Sequence, residues 1–304
     1  MNYKMIFAAM ALMAASCTNE SFEQSNEQPI SGEQQQAPIS VRVDGFAVSQ
    51  GNFPDASGDS QGTTRATAVG SYAGVKSLTL AFYASDGTEV YKHTQSKNEA
   101  DFGEFSLSLP IGSYTMVVLG YVLYDDDELT LTSPTQAEYT AGCPRETFAT
   151  TQVVNVTNTT AKELTATLDR IVTCLQVVST DGRTANVNKV RMTFSAGGKQ
   201  FSPTSGLATV NTGSVSTVGN SATVGTSSTS TGYVFLTTDE QTMNVTIETL
   251  DAEGAVLFSK TVNDVPFKRN RRTKLTGAIY AADATASGFQ VNTTWLDEED
   301  PIAF

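Results

Sequence analysis

The sequence predicts an all-β protein built from two tandem β-sandwich domains. Three observations carry that expectation. Apolar residues recur at every second position in short runs, and Gly, Asp, Ser and Pro punctuate those runs. Thr and Val, which suit a pleated surface, fill much of the chain. No long stretch beyond the first 16 residues repeats at helical spacing. The 304 residues suffice for two ordinary domains. With 39% hydrophobic and 17% charged residues the chain is globular. Its net charge of -13 argues against nucleic acid as a partner and against general attraction to an anionic membrane.

Residues 1–16 read as an export signal. Lys4 precedes an apolar run of about a dozen residues, too short to span a bilayer. Ala14-Ala15-Ser16-Cys17 is a lipobox: small residues ahead of a cysteine whose thiol is acylated before cleavage makes it the first residue. The alternative is an ordinary signal peptide followed by a coincidental cysteine. Each buried acyl methylene contributes about 0.8 kcal/mol, so a multiply acylated Cys17 is a durable anchor in a membrane. Residues 17–37 are rich in Glu, Gln, Ser and Asn and read as a lipidated, disordered tether. Glu20, Glu23 and Glu27 lie within it.

Residues 38–167 form the expected first sandwich. Ile39, Val41 and Val43 alternate with polar residues, Gly45 permits a bulge, and Phe46 and Val48 resume one residue out of phase. A loop follows over residues 50–74, poor in large apolar side chains and carrying Arg65 near its middle. Leu78, Leu80 and Phe82 lead to a hairpin turn at Asp86-Gly87, with Val90 and Tyr91 on the return strand. Phe105, Leu107 and Leu109 alternate up to Pro110. Tyr114, Met116 and Val118 share one face of a strand whose other face holds Val117 and Leu119, so it is placed centrally. Residues 153–156 and 164–168 supply the last strands.

Residues 168–304 form the second sandwich. Leu168-Asp169-Arg170-Ile171-Val172 opens a strand through Leu175 and Val177 that ends at Asp181-Gly182. Leu175 and Val177 stand at the same distances from Asp181 as Leu80 and Phe82 from Asp86, a faint internal repeat. Val190, Met192 and Phe194 form the next strand. Residues 201–232 are nearly all Ser, Thr, Gly and Val and read as short edge strands with loops. Val245 and Ile247 precede a turn at Glu253-Gly254. Val262 and Val265 end a strand that Pro266 interrupts. Lys268-Arg269-Asn270-Arg271-Arg272 is too charged to be buried and reads as a solvated turn. Leu275 points inward, and Phe289, Val291, Thr293 and Trp295 share one face of a closing strand.

The stretch Val265-Pro266-Phe267-Lys268-Arg269-Asn270-Arg271-Arg272-Thr273-Lys274-Leu275-Thr276-Gly277 with its closing strand to Trp295, the Leu-x-Arg-Ile-Val strand at 168–172 and the lipobox resemble the fimbrillin-like lipoproteins of Bacteroidales, subunits of protease-assembled pili. The resemblance implies two transthyretin-like, Greek-key sandwiches and a place in the outer membrane and fimbrium. It implies that a protease cuts after Arg65 and releases the first strand, with Ile39, Val41, Val43 and Phe46 as its inward residues. Another pilus subunit then fills the groove. Stalk subunits generally carry a further apolar strand at the C-terminus. Here residues 296–304 hold four acids and a proline, which favours an anchor or other non-stalk position.

Little else points to chemistry. His93 is the single histidine, so a histidine metal cluster or a Ser-His-Asp triad has no second candidate. Asp125-Asp126-Asp127-Glu128 lacks the glycine turn of a calcium loop and reads as solvated. Cys143 and Cys174 could pair after export or remain two independent thiols. No nucleophile or metalloprotease motif occurs, so no enzyme and no cofactor is expected. The leading reading is a pilus subunit or anchor. The second is a monomeric surface lipoprotein that binds glycan or peptide through sandwich loops.

Overall fold

The structure is a computed structural model, and it describes residues 35–48, 65–67, 69–72, 74–124, 127–140, 142–280 and 289–292. The export signal, Cys17, the tether up to residue 34, the connection over residues 49–64, Asp125, Asp126 and Trp295 lie outside the described residues. All described regular structure is β, as the sequence predicts.

The first sandwich is built from β1 (Gln36–Val48), β3 (Ser77–Ala84), β4 (Glu89–Ser96), β5 (Glu104–Pro110), β6 (Gly112–Tyr121), β9 (Thr147–Val156) and β10 (Lys162–Arg170), with the short β2 (Arg65–Thr67) beside β1. Hydrogen bonding runs β2-β1-β10-β9-β6-β3-β4, and β5 also pairs with β1. The β9–β10 link is only a corner, Asp169 with Ala149 and Arg170 with Phe148. It folds the strands into two layers, β4-β3-β6-β9 over β10-β1-β5. The alternating residues of both layers close the first core, among them Val41, Phe46, Leu80, Phe82, Met116 and Leu168. At the β3–β4 turn Gly87 adopts φ 87°, a value side-chain-bearing residues rarely take, and the Asp86 carboxylate accepts the Thr88 amide at 2.9 Å. That bond holds the Asp86 carboxyl below its usual pKa.

The second sandwich pairs two four-stranded sheets. One is β16 (Thr229–Val234), β11 (Thr173–Ser179), β19 (Arg272–Gly277) and β20 (Gln290–Asn292). The other is β15 (Ser214–Gly219), β12 (Lys189–Phe194), β17 (Glu240–Leu250) and β18 (Val256–Lys268). Leu175, Val177, Met192, Phe194, Ile247 and Leu275 meet between them in a second core.

A third core joins the two sandwiches and was not anticipated. β7 (Leu129–Ser133) and β8 (Gln136–Tyr139) form a hairpin in the first half of the chain. β13 (Gln200–Ser202) pairs with β8, and β14 (Leu207–Ala208) pairs with β13, so one small sheet draws strands from both halves. Ala81, Tyr83, Val117 and Leu119, the outer face of β3 and β6, pack here with Phe201 and Phe235. The Phe201 and Phe235 rings stack at 4.2 Å between centroids. β3 is therefore buried on both faces, although its sequence shows only one clearly apolar stripe.

Three local expectations need correction. The stretch 50–74 is not loop throughout: Arg65–Thr67 is a strand paired to β1. Pro266 does not interrupt its strand. β18 runs on to Lys268 as an edge strand, where a missing amide costs no ladder bond, and the irregularity lies at Asp264, with φ 55°. The basic turn at 268–272 is half-buried, because its side chains find partners: Lys268 with Glu240, Arg269 with Asp239 and the Ser205 carbonyl, and Asn270 with Arg170.

Candidate functional site: the first strand, its seat and the junction

β1 alternates as its sequence dictates. Ile39, Val41, Val43 and Phe46 are each at most 2% exposed, while Arg42 and Asp44 face water and pair at 2.9 Å. The phase change between Val43 and Phe46 is a bulge at Gly45 against β10. The Phe46 ring lies 4.7 Å from Phe148 and 5.3 Å from Tyr72, so the out-of-phase residue fills the deepest aromatic part of the core.

The backbone of β1 is paired on both sides. It runs parallel to β10 from Ile39 to Ala47 and antiparallel to β5 from Gln36 to Arg42. Beyond β5 the Val43 amide donates to the Gly103 carbonyl at 2.8 Å. β2 then takes over, with Phe46 opposite Thr67, Ala47 opposite Ala66 and Val48 opposite Arg65. β1 is thus an interior strand. A chain lacking it would expose two unpaired edges and an apolar trough between β10 and β5. Arg65 stands at the open end of a three-residue ladder, where local unpairing is least costly.

Behind this seat the two sequence motifs at 168–172 and 265–277 meet. Arg170, 7% exposed, pairs with Glu146, 4% exposed, at 2.7 Å. Its guanidinium also donates to Tyr72 Oη at 2.9 Å and to Asn270 Oδ1 at 3.0 Å, and lies 4.9 Å from the centroid of Phe148. Tyr72 Oη donates to Glu146 at 2.5 Å. Asn270, at φ 57°, donates its amide to the Val172 carbonyl at 3.1 Å. Thr173 Oγ1 and the Cys174 amide both donate to the Arg271 carbonyl. The Asn-Arg-Arg turn therefore clips onto the strand that carries the chain from one sandwich to the next. A buried guanidinium needs this many partners to offset desolvation.

The chain belongs to the DUF6562 family, a family of unknown function. Its profile matches residues 50–300. No curated protein matches the chain. Among solved structures, a candidate adhesin from Bacteroides ovatus is similar at TM-score 0.50 and 13% identity, over 87% of this chain and 96% of that one. The fimbrial anchor protein Mfa2 from Porphyromonas gingivalis aligns at TM-score 0.48 and 12% identity, over 86% of this chain and 99% of that one. A candidate polysaccharide-binding protein from Bacteroides thetaiotaomicron aligns at TM-score 0.48 and 11% identity, over 86% and 99%. At 13% identity the likeness to the Bacteroides ovatus structure is one of fold alone.

The remaining predicted residues of this DUF6562 chain are dispersed. Cys143 and Cys174 are two separate thiols: Cys143 Sγ accepts the Thr217 amide at 3.4 Å, and Cys174 is buried in the junction core. His93 sits on β4 opposite Leu80, its ring edge-on to Phe105 at 6.2 Å. Of the acidic run, Asp127 pairs with Arg145 at 2.8 Å, and Glu128 accepts from Thr140 Oγ1 at 2.9 Å. Among the described residues no group of His, Cys, Asp and Glu could hold a metal ion. Sequence reasoning missed Tyr72 and Glu146. The one available signal was a charged residue, Arg170, on the strand face that carries Leu164, Ala166 and Leu168, which demands a buried partner without naming it.

Proposed function

We propose that this chain is a fimbrillin-like subunit or anchor of cell-surface fimbriae, exported as a lipoprotein held at Cys17 in the outer membrane and joined to other pilus subunits by β-strand donation in support of adhesion. In this reading it is a structural and binding protein with no catalytic role. Residues 38–167 and 168–304 are its two sandwich domains. The observation that carries the reading is the form of β1: a buried strand, paired on both sides, whose onward connection passes a single basic residue, Arg65, between Arg42 and Lys76. The fold shared with the candidate adhesin from Bacteroides ovatus is in keeping with it.

The energetics suit exchange. Burial of Ile39, Val41, Val43 and Phe46 contributes roughly 1.5–3 kcal/mol each before ordering costs. Cleavage after Arg65 removes the covalent link that keeps β1 in place. An incoming strand of like pattern recovers the same burial and both ladders. Mass spectrometry of the mature surface protein tests this. A chain beginning at Ala66 is the expected result for a processed subunit, and a Cys17-acylated intact chain is the result for an anchor. Protein carrying neither mark would overturn the proposal.

A further inference from the structure

A cleft of about 700 Å³ lies between the chain after β6 and the β15–β16 edge of the second sandwich, a volume within the range of small-ligand sites. Its wall is chemically mixed. Tyr124 and Val215 present apolar surface and are 40% and 45% exposed. Thr217 supplies a polar group, and Arg145 and Lys189 supply positive charge. The Thr217 amide, on the edge strand β15, reaches only the thiol of Cys143, a weak acceptor.

The charges are arranged for an anion. Both carboxylates beside the cleft are already engaged: Asp127 with Arg145 and Glu146 with Arg170. Asp127 holds Arg145 through Nε at 2.8 Å and Nη2 at 3.3 Å, which leaves Nη1 to face other partners. The guanidinium is further fixed 4.7 Å from the centroid of Tyr124. Burial works against its charge, but the Asp127 bonds outweigh burial and raise its pKa. Lys189 adds an exposed ammonium at the rim. A ligand that uses the whole wall has one carboxylate, several hydroxyls and a flat C–H face.

We infer that this cleft binds a carboxylate-bearing sugar unit, of the uronic or sialic acid type. Its carboxylate meets Arg145 and Lys189, its hydroxyls meet Thr217, and its C–H face lies against Tyr124 and Val215. The inference supplies an adhesive ligand for the proposed function but does not need strand exchange, since the cleft is complete in one uncleaved chain.

Cys143 lines the cleft and reports its occupancy. The full chain carrying Cys17→Ala is treated with a maleimide, and labelling of Cys143 is read by peptide mapping. Glucuronate and N-acetylneuraminate should each slow the labelling, while glucose and acetate should not. Lys189→Ala should weaken protection about ten-fold, the loss of one charge-assisted contact. Thr217→Val should also weaken it, because the variant removes the hydroxyl on the cleft wall and keeps the shape of the side chain. Protection by acetate equal to that by the acidic sugars would reduce the cleft to a plain anion site and overturn the inference. So would equal protection by glucose, no protection by either acidic sugar, or protection indifferent to both substitutions. Arg65 stays intact throughout, so these outcomes are separate from those of the strand-exchange test.

Discussion

β1 and β11 hold the same place in their two sandwiches. Each is the first strand of its sandwich, runs parallel to a late strand (β10 or β19) and pairs antiparallel on its other side with β5 or β16. Each buries its alternating apolar residues completely, Ile39 and Val41 in one, Leu175 and Val177 in the other. They differ at their ends. β11 continues directly from β10 through Ile171 and Val172, and the 270–271 turn clamps its start by three hydrogen bonds. β1 is held at its far end by three residue pairs with β2, and the chain leaves through Arg65. Pairing and burial in the middle of the strand therefore do not set β1 apart from β11. The covalent path and the clamps at their ends do.

The clamp on β11 should be the most sensitive point of the comparison. Arg170→Met leaves Glu146 buried without its cation. The expected loss is about 3–5 kcal/mol, the usual result of removing one partner from a buried pair. Adding Glu146→Leu should restore most of that stability, because both desolvation costs then vanish together. Urea denaturation of the two variants and the parent measures this. If the double variant is no more stable than the single one, the junction depends on its polar network for more than charge compensation.

Within β1 the largest effect belongs to Phe46. Phe46→Ala should cost about 3–5 kcal/mol in the uncleaved chain. The comparison sharpens after cleavage at Arg65 and loss of the strand. The same substitution should then leave the remaining chain unaffected, whereas Leu175→Ala in β11 should cost about 2–5 kcal/mol in either form. A Phe46→Ala penalty that survives strand loss would mean that β1 does not leave.

Much of this contrast was legible in the sequence, but not all of it. The alternation of Ile39, Val41 and Val43, the slip at Gly45 and the turn at Asp86-Gly87 are local patterns, and local geometry produced them. β6 was readable as central because both its faces are apolar. The second face of β3 was not, since Thr79, Ala81 and Tyr83 resemble a solvated stripe until β7, β8 and the second sandwich cover them. Phe201 sits in a run of Ser, Thr and Gly, and its burial depends on Phe235 and on the strand pairing of Phe201 with Ala137, far away in the chain. The partners of Arg170 lie 24, 98 and 100 residues from it, beyond any periodicity. The basic turn misled for a similar reason: charge argues for water, but its side chains find partners elsewhere in the chain.

Asn270 offers a smaller test of the same clamp. Asn270→Gly keeps a residue that accepts φ 57° and removes the side-chain oxygen that Arg170 contacts. The expected loss is about 1–2 kcal/mol, one hydrogen bond to a charged group offset by the easier backbone. Asn270→Val should cost more than Asn270→Gly, because a β-branched residue strains at positive φ. Equal denaturation midpoints for the two variants would place the value of Asn270 in its side chain alone.

The smallest effect on stability, and the largest on processing, should come from Arg65. The β1–β2 pairing is a backbone ladder, so alanine preserves it, and Arg65→Ala should shift stability by no more than about 0.5 kcal/mol. Trypsin should distinguish the parent from the variant sharply. In the parent, unpairing three residues presents the Arg65–Ala66 bond, and cleavage there frees the segment that carries β1. Arg42 is no substitute target, because it lies within β1 where both ladders hold the backbone. The variant should therefore keep its first strand under trypsin concentrations that convert the parent. A synthetic peptide of residues 36–48 should then bind the cleaved parent and not the variant. Binding of that peptide to the uncleaved variant would show that the seat opens without any cut, and β1 and β11 would no longer differ in the way their ends suggest.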